Sequence, residues 1–144
     1  MRVKIAFASS DRRQVDQHFG AAEAFVVYEL TPDEARLVEV IEFTDADTSM
    51  DGNENKLDGK IRLLEGCAAV YCNAVGASAV KRLLAAGIQP VKVEEGEPIE
   101  ALLCGLKTSL EGEPPLWLAR HLKHQQREAT AERFATMAAE GWQE

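Results

Sequence analysis

The 144-residue chain contains few of the residues that build disulfide or permanent metal frameworks. Its three cysteines, Cys67, Cys72 and Cys104, are an odd number without a Cys-x-x-Cys pair, which predicts free thiols in a reducing compartment. No apolar run approaches the roughly 20 residues of a membrane span, and no signal-peptide pattern is present. We therefore expect a cytoplasmic protein that does not engage a membrane.

Positive charge is also scarce in this chain. Sixteen Lys and Arg residues stand against twenty-four Asp and Glu residues, which gives a formal net charge of −8. Such a surface repels phosphate backbones, so we expect no nucleic-acid partner. The hydrophobic share of 46% and the charged share of 28% are typical of a globular domain.

Hydrophobic periodicity predicts an α/β fold. Alternating apolar residues predict three strands joined by short turns, after which helical spacing and short apolar runs alternate. The predicted strands cover residues 2–8, 24–30, 36–43, 68–72 and 89–93, and the predicted helices cover 55–65, 76–86 and a segment that opens at Pro98. We therefore expect a ribonuclease-H-like mixed five-stranded sheet in the order 3-2-1-4-5, with strands 1–3 as an antiparallel meander and helices on both faces.

The C-terminal part of the chain has a different pattern. Residues 1–110 contain the predicted α/β domain, whereas residues 111–144 form a predicted helical extension. One helix is expected around Leu116 and Leu122, and another from Phe134 to Trp142. This extension could pack on the core of the α/β domain or bind a partner protein.

One edge of the predicted sheet gathers the candidate site. Ligands favour the crevice beyond the carboxyl ends of parallel strands. The loop after strand 1 carries Arg12 and His18, and strand 4 ends at Cys72 and Asn73. We expect these four residues at one edge, with His18 and Cys72 as candidate metal ligands and Cys67 at the opposite edge.

Each candidate also has a purely structural interpretation. His18 would order its loop by hydrogen bonding, Cys72 would pack as a small apolar residue, and Arg12 with Arg13 would form a solvated pair. Cys104 on the third predicted helix is expected to pack in the core. His121 and His124 lie at helical spacing and are expected on a solvated face.

Catalytic motifs are missing from the sequence. A nuclease of the ribonuclease H type needs several carboxylates on its central strands to hold two metal ions, and residues 3–7 of strand 1 include none. No Gly-rich phosphate loop or Ser-His-Asp pattern is present either. We therefore expect a protein that is not an enzyme.

Several blocks of the sequence form a distinctive set, of which the most distinctive contains His18-Phe19-Gly20. The blocks are residues 3–11, 15–20, 51–57, 66–72, 76–80, 89–93 and 95–99. Together they resemble the dinitrogenase iron–molybdenum-cofactor-binding family of nitrogen fixation, and the ending, residues 133–142, resembles the NifX branch of that family.

This resemblance implies a small carrier used in cofactor assembly. Its expected cargo is the NifB cofactor or a related Fe–S precursor, bound transiently, and its expected partners are NifB and the NifEN scaffold. The family's cluster-contacting histidine corresponds to His18. Permanent Fe–S sites use about four Cys thiolates, whereas His18 and Cys72 alone would let a cluster dock and leave. Because only neutral imidazole binds metal, capture is expected to weaken below roughly pH 6.

Two other functions remain open at this stage. A non-carrier accessory protein would stabilise or regulate nitrogenase assembly through protein contacts, with the helical extension as its surface. A nuclease would need metal-binding carboxylates that strand 1 lacks. In the carrier, Arg12 and Asn73 are expected to provide positive charge and hydrogen bonds to an anionic cluster.

Overall fold

A computed structural model describes residues 2–43, 54–125 and 127. The strands are β1 (Val3–Ala8), β2 (Gln14–Val15), β3 (Ala24–Leu30), β4 (Ala35–Glu42), β5 (Cys67–Cys72), β6 (Gln89–Lys92) and β7 (Glu97–Pro98). The helices are α1 (Glu54–Leu63), α2 (Ala77–Ala85), α3 (Ile99–Glu111) and α4, which is helical over 116–125.

The main sheet is mixed and has the strand order β4-β3-β1-β5-β6. β1 pairs antiparallel with β3 and parallel with β5, β3 pairs antiparallel with β4, and β5 pairs parallel with β6. The expected five-stranded α/β sheet with helices is confirmed. Because β1 and β5 are parallel, their carboxyl ends share one edge of the sheet.

Alternate residues of β1 contribute to two hydrophobic cores. Ala6 and Ala8 face the core that is covered by α1 and α2. Ile5 and Phe7 face the core that is covered by α3 and by Leu118 of α4. Helices therefore pack on both faces of the sheet, which explains why every residue of β5 is buried.

The structure also contains a second, two-stranded sheet that the sequence pattern does not predict. Gln14 of β2 pairs with Pro98 of β7, and Val15 pairs with Glu97. The Ile99 amide also donates to the Arg13 carbonyl at 2.9 Å. Two-residue strands are too short for a periodic signal, yet these bonds tie the loop after β1 to the start of α3.

The C-terminal extension is partly integrated into the domain. Leu118 has no exposed surface and packs in the same core as β1. The Gln125 side-chain amide donates to the Arg2 carbonyl oxygen at 2.8 Å. The second helix expected in the extension, from Phe134 to Trp142, lies outside the described residues. In the described part of the chain, no helix is long and apolar enough to cross a membrane.

The expectation that Cys104 packs in the core is wrong, because its side chain is exposed. Ile99, Leu103 and Leu106 form the buried stripe of α3. A helix turns by about 100° per residue, so Cys104 lies on the flank next to Leu103. The core is filled without the thiol.

Candidate functional site

The loop after β1 is a turn held by short-range hydrogen bonds. The buried Ser9 hydroxyl accepts from the Arg12 amide at 2.9 Å and donates to Asp11 Oδ1 at 3.2 Å. Asp11 Oδ1 also accepts from the Arg13 and Gln14 amides at 2.8 and 3.0 Å. The bond from Arg13, followed by that from Gln14, lowers the pKa of Asp11 from its usual 3.8. These bonds hold Arg12 in the left-handed region, with φ of 66°.

The backbone around His18 extends the carboxyl edge of the sheet. The backbone N–H of Asn73 donates to the Gln17 carbonyl at 2.9 Å, and the backbone N–H of Phe19 donates to the Ala74 carbonyl at 2.8 Å. His18 therefore forms a parallel bridge with Ala74, two residues beyond the end of β5. Its imidazole is exposed, so a rigid backbone presents an accessible side chain.

The residues after His18 are anchored by a buried lysine. Lys60 of α1 is 2% exposed, and its Nζ donates to the carbonyl oxygens of Gly20 at 2.7 Å and Ala22 at 3.5 Å. The ammonium also lies 4.9 Å from the ring centroid of Phe43. Phe19, between His18 and these carbonyls, is fully buried, so the loop is fixed from both sides.

Sequence reasoning missed Lys60, although a signal for it exists. Leu57, Ile61 and Leu64 define the apolar stripe of α1, and position 60 falls on the same stripe at three residues from 57 and four from 64. Lysine is almost never fully buried unless it is paired. A lysine on an apolar stripe therefore indicates that acceptors converge there.

Cys72 does not reach the exposed edge. Its side chain has no exposed surface and packs in the core with Phe19 and Leu83. Burial raises the pKa of the Cys72 thiol to about 11, so the side chain is a protonated thiol at neutral pH. This burial fits the structural interpretation of Cys72 as a small core residue, and its role as a metal ligand stays a prediction.

Cys67 lies at the opposite end of β5, as expected, opposite Lys4 of β1. Burial also raises the pKa of the Cys67 thiol to about 11. Cys67 therefore does not lie at the His18 edge.

Asn73 ties three segments together. Its Nδ2 donates to the Val15 carbonyl at 2.9 Å and to the Val93 carbonyl at 3.2 Å. The buried Oδ1 has no hydrogen-bond partner among the described residues. Because both amide hydrogens are engaged and only an acceptor remains, Asn73 is unsuited to donate to an anion. The two bonds give Asn73 a structural role beside His18, and its contact with a cluster stays a prediction.

Arg12 keeps its charge near the surface. Its Nη2 lies 3.3 Å from Glu42 Oε1, and both side chains are more than half exposed. Exposed ion pairs contribute little free energy, so the guanidinium can leave Glu42 at small cost. In the described part of the chain, no group of three or more His, Cys, Asp and Glu side chains is arranged to hold a metal ion.

Comparison with known proteins identifies the family. The family described as dinitrogenase iron-molybdenum cofactor matches residues 1–109. The protein NifX of Azotobacter vinelandii is 49% identical over 142 residues, covering 99% of this chain and 88% of that protein. The FeMo cofactor biosynthesis protein NifB of the same organism is 38% identical over 101 residues, covering 68% of this chain and 20% of that protein.

A solved structure supports the fold. The apo form of the orange protein from Desulfovibrio gigas superposes with a TM-score of 0.55 at 24% identity, covering 78% of this chain and 90% of that one. At this identity the likeness concerns the fold alone. From the sequence matches, the chain belongs to the dinitrogenase iron-molybdenum cofactor family, among its NifX members.

Proposed function

We propose that the protein is a non-catalytic carrier of Fe–S precursors of the iron–molybdenum cofactor and acts in cofactor biosynthesis. The observation that carries this proposal is the exposed imidazole of His18, presented by a backbone that is bonded to Asn73 and Ala74 on either side. A fixed backbone lowers the entropy lost when a ligand binds. Membership in the cofactor family supports an Fe–S cluster as the ligand.

The limited number of soft ligands suits transient binding. Permanent Fe–S sites are held by about four Cys thiolates, whereas two of the three cysteines here are buried as protonated thiols. A preassembled cluster would gain one imidazole–iron bond at His18 and retain its other ligands. One such bond permits capture and release by a partner.

Two arginines in the loop that carries His18 support an anionic cargo. Arg12 and Arg13 follow β1 in the same loop as His18, and the Arg12 side chain forms an exposed pair with Glu42. A guanidinium that turns from Glu42 to a cluster sulfide would add a charge-assisted hydrogen bond. Asn73 would act indirectly by holding the loop in register.

The proposed cargo is the NifB cofactor or a later precursor, received from NifB and passed to the NifEN scaffold in the cytoplasm. The relationship to both NifX and NifB supports this placement. We also propose that the strand order β4-β3-β1-β5-β6 places the fold in the ribonuclease-H-like class.

Anaerobic loading tests the carrier function. The purified chain is mixed with isolated NifB cofactor and separated by gel filtration, and the iron that co-elutes is counted. The carrier proposal predicts iron in the protein peak, and lower iron with the His18→Ala variant. The variant His124→Ala, which removes an imidazole from α4, is the matched control and should load normally.

The loading experiment also separates the alternative function. Absence of iron from the protein peak would overturn the carrier proposal and favour an accessory protein that acts through protein contacts. If the His18→Ala variant loads as much iron as the native chain, the carrier function stands and His18 is excluded as its ligand.

A further inference from the structure

A cavity of about 950 Å³ lies on the α3 side of the sheet. It is bounded by the turn that carries Arg12 and Arg13 and by the exposed flank of α3, which carries Cys104 and Lys107. Neither His18 nor Asn73 lines it. A volume of this size accommodates a small organic molecule and exceeds the volume of a simple inorganic ion.

The charge of the lining contrasts with that of the chain. Arg12, Arg13 and Lys107 contribute three cationic side chains, against the single carboxylate of Glu100. The whole chain has a net charge of −8, so this concentration of positive charge is a local feature. Clefts lined by one sign of charge raise the local concentration of the opposite ion.

The inner wall of the cavity is aromatic and apolar. Tyr28 of β3 is half-buried and its ring packs edge-on against Phe7, with 6.0 Å between ring centroids. Leu103 of α3 also lines the cavity and is almost fully buried. The lining therefore combines three cationic side chains with the Tyr28 ring and the buried Leu103, whereas a site for an inorganic ion would need only the cations.

We propose that this cavity binds a small organic anion that carries at least two negative charges on phosphate or carboxylate oxygens and has an apolar or aromatic body. Arg13 and Lys107 contact the anionic oxygens from opposite walls, and the body rests against Tyr28. His18 and Asn73 do not line the cavity, whereas Arg12 is shared between the cavity and the proposed cluster contact. Binding of the organic anion does not require a bound cluster.

Cys104 provides a reporter inside the cavity. It is the one exposed cysteine, since Cys67 and Cys72 are buried. Iodoacetamide should therefore alkylate Cys104 selectively in the folded chain, and a ligand in the cavity should slow this reaction by covering the thiol. Following the rate against ligand concentration gives a dissociation constant for the full-length protein.

Three probes distinguish the parts of the proposal. Phenyl phosphate has both the dianion and the aromatic body, inorganic phosphate has only the dianion, and benzyl alcohol has only the body. We expect saturable protection by phenyl phosphate, weaker protection by inorganic phosphate and little by benzyl alcohol. Phthalate, which has two carboxylates on an aromatic ring, then tests carboxylate against phosphate oxygens with the same readout.

Charge variants test the assigned residues. Arg13→Gln and Lys107→Gln should each weaken phenyl phosphate binding by about two- to fivefold, the range for exposed charge pairs, whereas Glu100→Gln should strengthen it. Lys81→Gln makes the same charge change on α2, away from the cavity, and should leave binding unchanged.

Clear results would overturn the proposal. Absence of protection by phenyl phosphate and by phthalate would exclude the site, and equal protection by benzyl alcohol would exclude the need for an anion. Equal protection by inorganic phosphate and phenyl phosphate would exclude the role of the apolar part of the lining. If all four charge variants bind alike, the protection is not due to this cavity.

Discussion

The Lys60 ammonium lies 2.7 Å from the Gly20 carbonyl oxygen and joins α1 to the loop that presents His18. The two residues are forty positions apart in the chain, so neither can be recognised as the other's partner from local sequence. Lys60 is 2% exposed, and its charge is stabilised by carbonyl oxygens and by the Phe43 ring. The buried ammonium of Lys60 therefore holds in place the loop that presents the exposed side chain of His18.

Replacement of Lys60 by methionine should lower the free energy of unfolding by about 1–3 kcal/mol, because two carbonyl groups lose a donor. Urea denaturation measures the change. The variant Arg62→Met removes the same charge from an exposed position of α1 and should change stability by less than about 0.5 kcal/mol. Equal effects of the two variants would contradict the anchoring role of Lys60.

His18→Ala should separate function from stability. Because the imidazole is exposed and the backbone makes the local hydrogen bonds, we expect the free energy of unfolding to change by less than about 0.5 kcal/mol. NifB cofactor loading should fall in the same variant. A large loss of stability in urea would show instead that His18 orders its loop.

Asn73→Ala should destabilise the chain by about 1–3 kcal/mol, because the Val15 and Val93 carbonyls lose their shared donor. Urea denaturation again measures the change. Asn73→Asp keeps the shape but replaces the donor with an acceptor, so it should be at least as destabilising. If Asn73→Asp is as stable as the native chain, the two hydrogen bonds from Asn73 do not stabilise the fold.

Stability should decline at alkaline pH because of the buried thiols. The pKa values of Cys67 and Cys72 are raised by burial from 9.0 to about 11, so the unfolded chain releases these protons first as the pH rises. The contribution of these two buried thiols to the free energy of unfolding is fully present below pH 9 and is lost between about pH 9 and 11. Urea denaturation across this range should show a shallower decline for Cys72→Ala.

The exposed cysteine provides the control for this pH dependence. The stability of Cys104→Ser should decline with pH as steeply as that of the native chain, because this variant keeps both buried thiols. A decline in Cys72→Ala that is as steep as in the native chain would contradict the assignment of this loss to the Cys72 thiol.

Leu118 should contribute to stability although it lies beyond residue 109, where the family match ends. Its side chain is fully buried against the core that contains Ile5 and Phe7, so Leu118→Ala should cost about 2–4 kcal/mol. Leu116→Ala is the matched control, because Leu116 is 67% exposed. Thermal or urea unfolding of the two variants measures the difference, and equal stabilities would exclude packing of α4 on this core.

The sequence by itself determined the elements that have a strong period and the end of the sheet to which His18 belongs. The apolar run of β5 and the stripe of Ile99, Leu103 and Leu106 on α3 follow from side-chain spacing, because burial selects one face of a helix or both faces of a central strand. The direction of a parallel strand then fixes which of Cys67 and Cys72 lies near His18. The block around His18-Phe19-Gly20 also identified the family.

Only the tertiary structure decided what each candidate side chain contacts. Cys72 stands at the expected edge but is buried in the core, whereas Cys104, expected in the core, is exposed. The pairing of Lys60 with Gly20 and the bonds from Asn73 to Val15 and Val93 join segments that are distant in the chain. Spacing in a sequence specifies direction along one helix or strand, but hydrogen-bond partners and access to solvent depend on which other elements pack against it.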